Sequence, residues 1–243
     1  MKHLNSKKSI SDISKEWDAV CRKRAEVIQR GDDFSLLGVN IPCILKYLEK
    51  CNKSNVLDIG CGSGYLTNLL AEKCENVVGI DASSCSIDIA QEIYQKDNLL
   101  FRAVSLEEYL PSCSFDTCIA NMVLMTDPKA EESIRIVYNL LKPGGHFLFT
   151  ITHPCFWPKY WGYDNKEWFD YSKEVFIENE FSTSLSDSMG VTTHIHRPLN
   201  MYMNFFIKSG FHIEILDEPY PVVKIPEGYQ YSYPRFLFGM LRK

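Results

Sequence analysis

The chain has 243 residues, 26 Lys and Arg against 31 Asp and Glu, and a formal net charge of −5. At 45% hydrophobic and 23% charged residues it can bury the core of one large domain. That balance excludes wholesale disorder, collagen, a coiled coil and a strongly basic domain that grips phosphate backbones.

The opening stretch is basic, with eight Lys or Arg among residues 1–30 against four Asp or Glu, and reads as a solvated terminus. It has no apolar h-region of a signal peptide, and no run of 18 apolar residues follows, so no membrane span is expected. Ile13 to Arg30 reads as a polar amphipathic helix, and Pro42 suits the first turn of a second that runs to about Lys50. A rhythm then begins. Residues 55–59 (NVLDI) form a short apolar strand, 65–73 a helix, and 76–80 (NVVGI) a strand; a helix to about Gln95 follows, capped by Ser83 or Ser84. A third strand covers 99–104 and a fourth 115–121 (FDTCIAN). The helix over 128–141 opens on Pro and stops at Lys142-Pro143-Gly144-Gly145, ahead of a fifth strand over 146–152. From His153 to Arg197 the rhythm breaks: residues 153–171 hold three of the four Trp, and 174–182 and 191–197 read as strands of a small excursion. Residues 198–208 return to helix. Strands 211–216 and 234–241, joined by a Pro-rich loop without an intervening helix, are expected as an antiparallel pair.

Short apolar strands alternating with helices predict a single α/β domain built on a doubly wound, Rossmann-like sheet. It should be mostly parallel, with an antiparallel C-terminal strand pair, N-terminal helices and an aromatic-rich insertion after the fifth strand. The divisions expected are an N-terminal helical cap (1–52), a cofactor-binding core (55–152), an insertion or lid (153–197) and the C-terminal part of the sheet (198–243). Such sheets bind ligands at the carboxyl ends of their strands. There Asp58-Ile-Gly60-Cys61-Gly62-Ser-Gly64 follows a strand and opens a helix, and its glycines let the backbone turn tightly and approach a bulky ligand. Asp81 ends the second strand, where a carboxylate can accept both hydroxyls of an adenosine ribose. The dinucleotide pattern G-x-G-x-x-G would demand Gly at position 65, which is Tyr. Asp58 suits a ligand that carries an ammonium group and would repel a pyrophosphate. An adenosine, a ribose and a cationic amino-acid tail together describe S-adenosylmethionine.

In these residues the chain resembles the class I S-adenosylmethionine-dependent methyltransferases. VLDIGCGSGY is similar to their first motif, Gly79-Ile-Asp81 to their second-strand acid, FDTCIANMVLMTDP to the fourth-strand motif and LLKPGGHFLFT to the turn before the fifth strand. The resemblance covers residues 55–152 and extends to the last strand pair, GFHIEIL and PRFLFGML. It implies S-adenosylmethionine as cofactor, with Asp58, Gly60, Cys61, Gly62 and Gly64 in the first loop, then Asp81 and Ala82. Ser105 and Leu106 would meet the adenine, and Asn121 and Met122 the methionine part. The acidic residue that many relatives carry after the third strand is missing, since Ala103-Val104-Ser105-Leu106-Glu107 occupies that stretch. The Asp/Asn-Pro-Pro-Tyr/Phe motif of enzymes that methylate nucleobase amino groups is absent. The N-terminal helix is expected to fold over the cofactor, with Trp17 or Arg24 lining the pocket.

Other residues are candidates for the acceptor side. His153 follows the fifth strand, where acceptors lie in this fold, and is the candidate general base. Trp157, Tyr160 and Trp161 belong to an irregular aromatic run that is either a satellite core or dimer patch, or a wall that stacks on a planar or cationic acceptor. His194 and His196 are expected on opposite faces of a strand, with surface placement the default. The nine cysteines are odd in number and form no Cys-x-x-Cys; they read as small hydrophobes in a reducing, cytoplasmic protein, with Cys61 a filler. No helix sets His and carboxylates at ligand spacing, so no metal is expected. The expected reaction is methyl transfer to N or O of a small molecule or peptide, driven by proximity and in-line displacement. Methylation of RNA, including tRNA, by the same fold is one alternative, which the acidic body disfavours. A non-catalytic cofactor-binding scaffold partnering another chain is the other.

Overall fold

The N-terminal helix starts where the sequence supplies a cap. Ser9 Oγ accepts the Asp12 amide and the Asp12 carboxylate accepts the Ser9 amide, so α1 runs Ile10–Gln29 rather than from Ile13. The computed structural model describes residues 1–183, 185–227 and 231–243. Ahead of α1 lies β1 (Lys2–His3), too short to leave a periodic signal. A π-helical turn, Leu36–Asn40, leads into α2 (Ile41–Leu48) with Pro42 in its first turn. Strands and helices then alternate: β2 (Asn55–Ile59), α3 (Tyr65–Ala71), β3 (Asn76–Asp81), α4 (Ser84–Ile93), β4 (Leu99–Ala103), β5 (Phe115–Asn121), α5 (Ala130–Leu140) and β6 (Leu141–Thr152). Ser83 caps α4, its Oγ accepting the Ser86 amide. Two boundaries differ from the sequence reading. Asp127 Oδ1 accepts the Lys129 amide at 2.7 Å and holds a turn there, so α5 starts at Ala130 and not at Pro128. β6 follows α5 directly, because Leu141 pairs with Phe115 across a register shift before the main ladder.

The large sheet has the order β4-β3-β2-β5-β6-β10-β9, where β9 is His212–Asp217 and β10 is Phe236–Arg242. The first five strands are parallel, and β10 runs antiparallel to both β6 and β9, as the missing crossover helix required. The connection between β9 and β10 runs partly through 228–230, outside the described residues. Chain order reverses between β2 and β5, which places the crevice of a doubly wound sheet at their carboxyl ends. Strand side chains alternate between two cores. Val56, Ile119, Leu148 and Phe238 pack with α2 and α3; Leu57, Cys118, Phe147 and Phe149 pack with α5 and with α7 (Leu199–Ser209). Each fully buried aliphatic or aromatic side chain there contributes roughly 1.5–3 kcal/mol.

The insertion contains α6 (Trp157–Trp161), β7 (Val175–Phe181) and β8 (Gly190–His196). With β1 it forms a separate antiparallel sheet, β1-β7-β8. Tyr163, Val175 and Ile177 centre a small core there, against which Trp157, Trp161, Trp168 and Phe169 pack, and His3 stacks on Trp168 at 5.1 Å. The aromatic run is therefore a satellite core. His194 and His196 do not occupy opposite faces or the surface. Residues two apart in a strand share a face, and both rings are buried, His194 at 5.2 Å from Trp161 and His196 at 4.8 Å from Phe169.

Cysteine usage also departs from expectation. Cys43, Cys51, Cys74 and Cys118 are buried hydrophobes, but Cys21 of α1 and Cys85 of α4 form a disulfide, 64 positions apart in sequence. Among the described residues no helix is long and apolar enough to cross a membrane.

Candidate active site

The carboxyl ends of β2, β3, β4 and β5 open into a cleft of about 250 Å³. Its walls are Gly60 to Ser63, Asp81 and Ala82, Val104 to Glu107, and Asn121 to Leu124. α1 forms the roof, laying Ile13, Trp17, Cys21 and Arg24 over the cleft at intervals of three and four, one face of a helix.

The first loop is built by backbone conformation. Gly60, Gly62 and Gly64 have φ of 64°, 54° and 80°, the left-handed region that L side chains rarely adopt. A Cβ on Gly60 would lie 2.4 Å from Val123 and one on Gly64 2.7 Å from Phe101, whereas one on Gly62 would meet nothing within 4 Å. The outer glycines are therefore needed for packing, and the middle one leaves open space beside the cleft. Asp81 Oδ2 accepts the Gly62 amide and Oδ1 the Ser83 amide, both at 2.8 Å. Burial raises the Asp81 pKa, and these two N–H donors oppose that rise. Its carboxylate lines the cleft with acceptor capacity left over. Open space at Gly62 beside a carboxylate at a strand end fits an adenosine.

β5 ends in the middle of the cleft. Asn121 Oδ1 accepts the Thr150 hydroxyl at 2.6 Å, and the Met122 amide donates to Thr150 O at 2.9 Å. Met122 has a φ of 61°, a left-handed backbone at a non-glycine residue, which costs about 1–3 kcal/mol and concentrates at functional sites. Burial, then the Asp81 and Asp58 carboxylates, push the Cys61 thiol well up, so it stays a protonated filler.

Not every candidate reaches the cleft. Gly60, Cys61, Gly62, Asp81, Ala82, Ser105, Leu106, Asn121 and Met122 line it, while Gly64 and Asp58 do not. Asp58 lies 1% exposed behind the loop, where Thr67 Oγ1 donates to it at 2.7 Å and burial pushes its pKa up to about 7. His153 is 3% exposed and outside the lining. Its Nδ1 accepts the Cys155 amide at 3.2 Å, which leaves the proton on Nε2, donated to Glu218 at 2.8 Å. Burial lowers its pKa, so the ring is neutral with both nitrogens engaged. Trp157, Tyr160 and Trp161 do not line the cleft either. Trp157 packs 5.3 Å from Trp161, and the Arg235 guanidinium lies 3.8 Å over Tyr160.

The profile of a family described as a methyltransferase domain matches residues 50–190, more than half of the chain. The chain belongs to the class I S-adenosylmethionine-dependent methyltransferases. Its cofactor is S-adenosylmethionine. A mitochondrial ubiquinone biosynthesis O-methyltransferase of Rattus norvegicus is 38% identical over 105 residues, 40% of this chain and 30% of that protein. A malonyl-[acyl-carrier protein] O-methyltransferase of Priestia megaterium is 32% identical over 97 residues, 39% of this chain and 35% of that protein. The chain thus spans less than half the length of these curated relatives. Among solved structures, a putative S-adenosylmethionine-dependent methyltransferase from Listeria monocytogenes superposes with a TM-score of 0.64 at 23% identity, covering 82% of this chain and 96% of that one. A DhpI–SAM–HEP complex superposes with a TM-score of 0.68 at 20% identity, covering 99% and 100%. These likenesses show the fold.

In this methyltransferase the roof is anchored on two sides. Ser14 Oγ donates to Ala82 O at 2.8 Å, and Asp18 Oδ1 accepts the Ser83 hydroxyl at 2.6 Å. On the other side Glu16 accepts the Thr193 amide at 2.8 Å and its hydroxyl at 3.0 Å. Trp17 and Arg24 both line the cleft; Trp17 meets Phe181 edge-on at 5.2 Å, and Arg24 pairs with the buried Asp33. Sequence reasoning missed Glu107 and Asp127, which also line the cleft. Glu107 pairs with Lys129 at 2.8 Å, and burial raises the Asp127 pKa against hydrogen bonds from Ser133 and the Lys129 amide. Each lies inside a stretch already singled out, Glu107 next to Leu106 and Asp127 near the end of the fourth-strand motif, so position alone was the available signal.

Proposed function

We propose that this protein transfers the methyl group of S-adenosylmethionine to an oxygen or nitrogen of a small molecule. The observation that carries the proposal is a cleft at the strand switch point, cradled by Gly62 and Asp81 and roofed by α1. The cofactor supplies an electrophilic methyl on its sulfonium. Asp81 would accept the ribose hydroxyls, and the backbone of Gly60 to Gly62 would lie against the nucleoside. Ser105 and Leu106 would flank the adenine, Asn121 and Met122 the methionine chain, and Arg24 would face its carboxylate. The protein's work is then to hold the acceptor atom in line at about 3–3.5 Å, and the α1 roof excludes water while it does so.

Charge narrows the acceptor. Among the described residues that line the cleft, Asp81, Glu107 and Asp127 carry carboxylates and Arg24 is the single Lys or Arg. That balance supports a neutral or cationic acceptor over a polyanion such as RNA. No histidine is among those lining residues. A phenol that ionises readily, or an uncharged amine that attacks through its lone pair and releases its proton to solvent after methylation, needs no imidazole base. The names of the two curated relatives make oxygen the first acceptor atom to test.

The test is thermal melting with S-adenosylmethionine, S-adenosylhomocysteine and NAD, then transfer of labelled methyl to phenols, carboxylic acids and amines. Saturation at 100 times Kd stabilises by about 2.7 kcal/mol, so the two sulfur nucleosides should raise the midpoint and NAD should not. Label in co-purified RNA, or none in any small acceptor, would overturn the small-molecule reading.

A further inference from the structure

Cys21 lies on the inner face of α1 and lines the cleft; Cys85 lies in the first turn of α4, four residues past Asp81 and outside the lining. Their disulfide, with Cα atoms 6.3 Å apart, ties the roof to the segment that carries Asp81. The other links across this seam are non-covalent and reversible: hydrogen bonds from Ser14 to Ala82 O, from Ser83 and the Cys85 amide to Asp18 and from Gln29 to the Tyr94 hydroxyl, and the packing of Ala25 against Ile89. The inner face of α1 forms one side of the cleft, so the position of α1 sets the opening through which a cofactor would enter and its demethylated product would leave. We propose that Cys21 and Cys85 are a redox-active pair whose oxidation latches α1 over the cofactor cleft and whose reduction frees it. The proposal rests on the cleft being the cofactor site.

Peroxide is the oxidant class that fits. Cys85 is partly exposed and Cys21 is 5% exposed, so Cys85 is the sulfur a reagent reaches first. Its sulfur attacks one peroxide oxygen, the O–O bond breaks, and a sulfenic acid and one water result. Cys21 sulfur then attacks the sulfenic sulfur, the S–S bond forms, and the hydroxyl leaves as a second water. Both thiol protons end in the waters, and two electrons pass from sulfur to oxygen. A dithiol reverses the step by exchange and becomes a disulfide itself.

The full chain, carrying Cys113→Ser and Cys155→Ser to remove the two exposed free thiols, is treated with hydrogen peroxide or with dithiothreitol. It is loaded with S-adenosylhomocysteine, and release is followed by tryptophan fluorescence in stopped flow. The oxidised protein should release the nucleoside at least about tenfold more slowly, since the latched roof opens less often. Cys85→Ala should release it at the reduced rate after either treatment. Peptide mapping that finds Cys21 and Cys85 unlinked after peroxide overturns the proposal, as do equal release rates from linked and reduced protein. Failure of the reduced protein to bind S-adenosylhomocysteine at all overturns the cofactor site with it, which keeps the two failures apart.

Discussion

Gly62→Ala separates the two reasons for which a glycine can occupy a loop. Gly62 and Gly31 share a left-handed φ, 54° and 82°, and neither would bring a Cβ within 4 Å of another atom. Only Gly62 lines the cleft. Alanine in that backbone region costs about 1–2 kcal/mol at either site. For a chain of this size that is a fall of about 2–8 °C in Tm. The two variants should therefore melt alike. The Gly62→Ala methyl, however, occupies space that a bound nucleoside would use, so its S-adenosylhomocysteine affinity should fall about tenfold to a hundredfold, or 1.4–2.8 kcal/mol. Gly31→Ala should bind as the unaltered protein does. Gly60→Ala adds a clash with Val123 at 2.4 Å and should lose about 1–3 kcal/mol more stability from overpacking. Differential scanning fluorimetry and isothermal titration calorimetry measure the two quantities on the same samples. If Gly62→Ala keeps its affinity while losing the same stability as Gly31→Ala, the loop does not approach the cofactor and the site reasoning fails.

Asp81→Asn should weaken S-adenosylhomocysteine by about 1.5–3 kcal/mol, the loss of charge-assisted hydrogen bonds, and unchanged affinity by calorimetry would remove Asp81 from the site. His194 is pushed down to about 3 by burial and by nearby His196 and Arg197. The unfolded chain therefore takes up a proton at His194 below about 6.5 that the folded chain refuses, so its contribution is present above that pH and lost as pH falls. Urea unfolding of His194→Gln should gain on the unaltered protein by about 1.4 kcal/mol per pH unit between pH 6 and pH 4; a constant difference would mean that His194 is charged or exposed. Trp161→Ala should destabilise by up to about 5 kcal/mol through the satellite core. In folded variant its nucleoside affinity should be unaltered, and a collapse of affinity would put the insertion on the cofactor instead.

What the sequence revealed depends on how far apart the partners lie. The Gly60–Gly64 loop, the Ser83 cap and the acid at the end of β3 act within a few residues, so spacing and residue type were enough to read them. β1 was invisible, because two residues gain their strand geometry only from β7, more than 170 positions away. The pairing of Cys21 with Cys85 left no local sign either. The faces of His194 and His196 were legible in principle, since a period of two puts both on one side, and the assignment to opposite faces misapplied that period. The same division runs through the cleft. The wall proposed for the cofactor is made of loops that follow successive strands of one sheet, each readable where it stands. The roof of the cleft is set by contacts such as Glu16 with Thr193, 177 positions apart, and Trp17 with Phe181. On the proposed reading, a methyl acceptor would fit between that wall and that roof. The residues that select it are therefore fixed by long-range packing, which is why the sequence identified the cofactor more sharply than the acceptor.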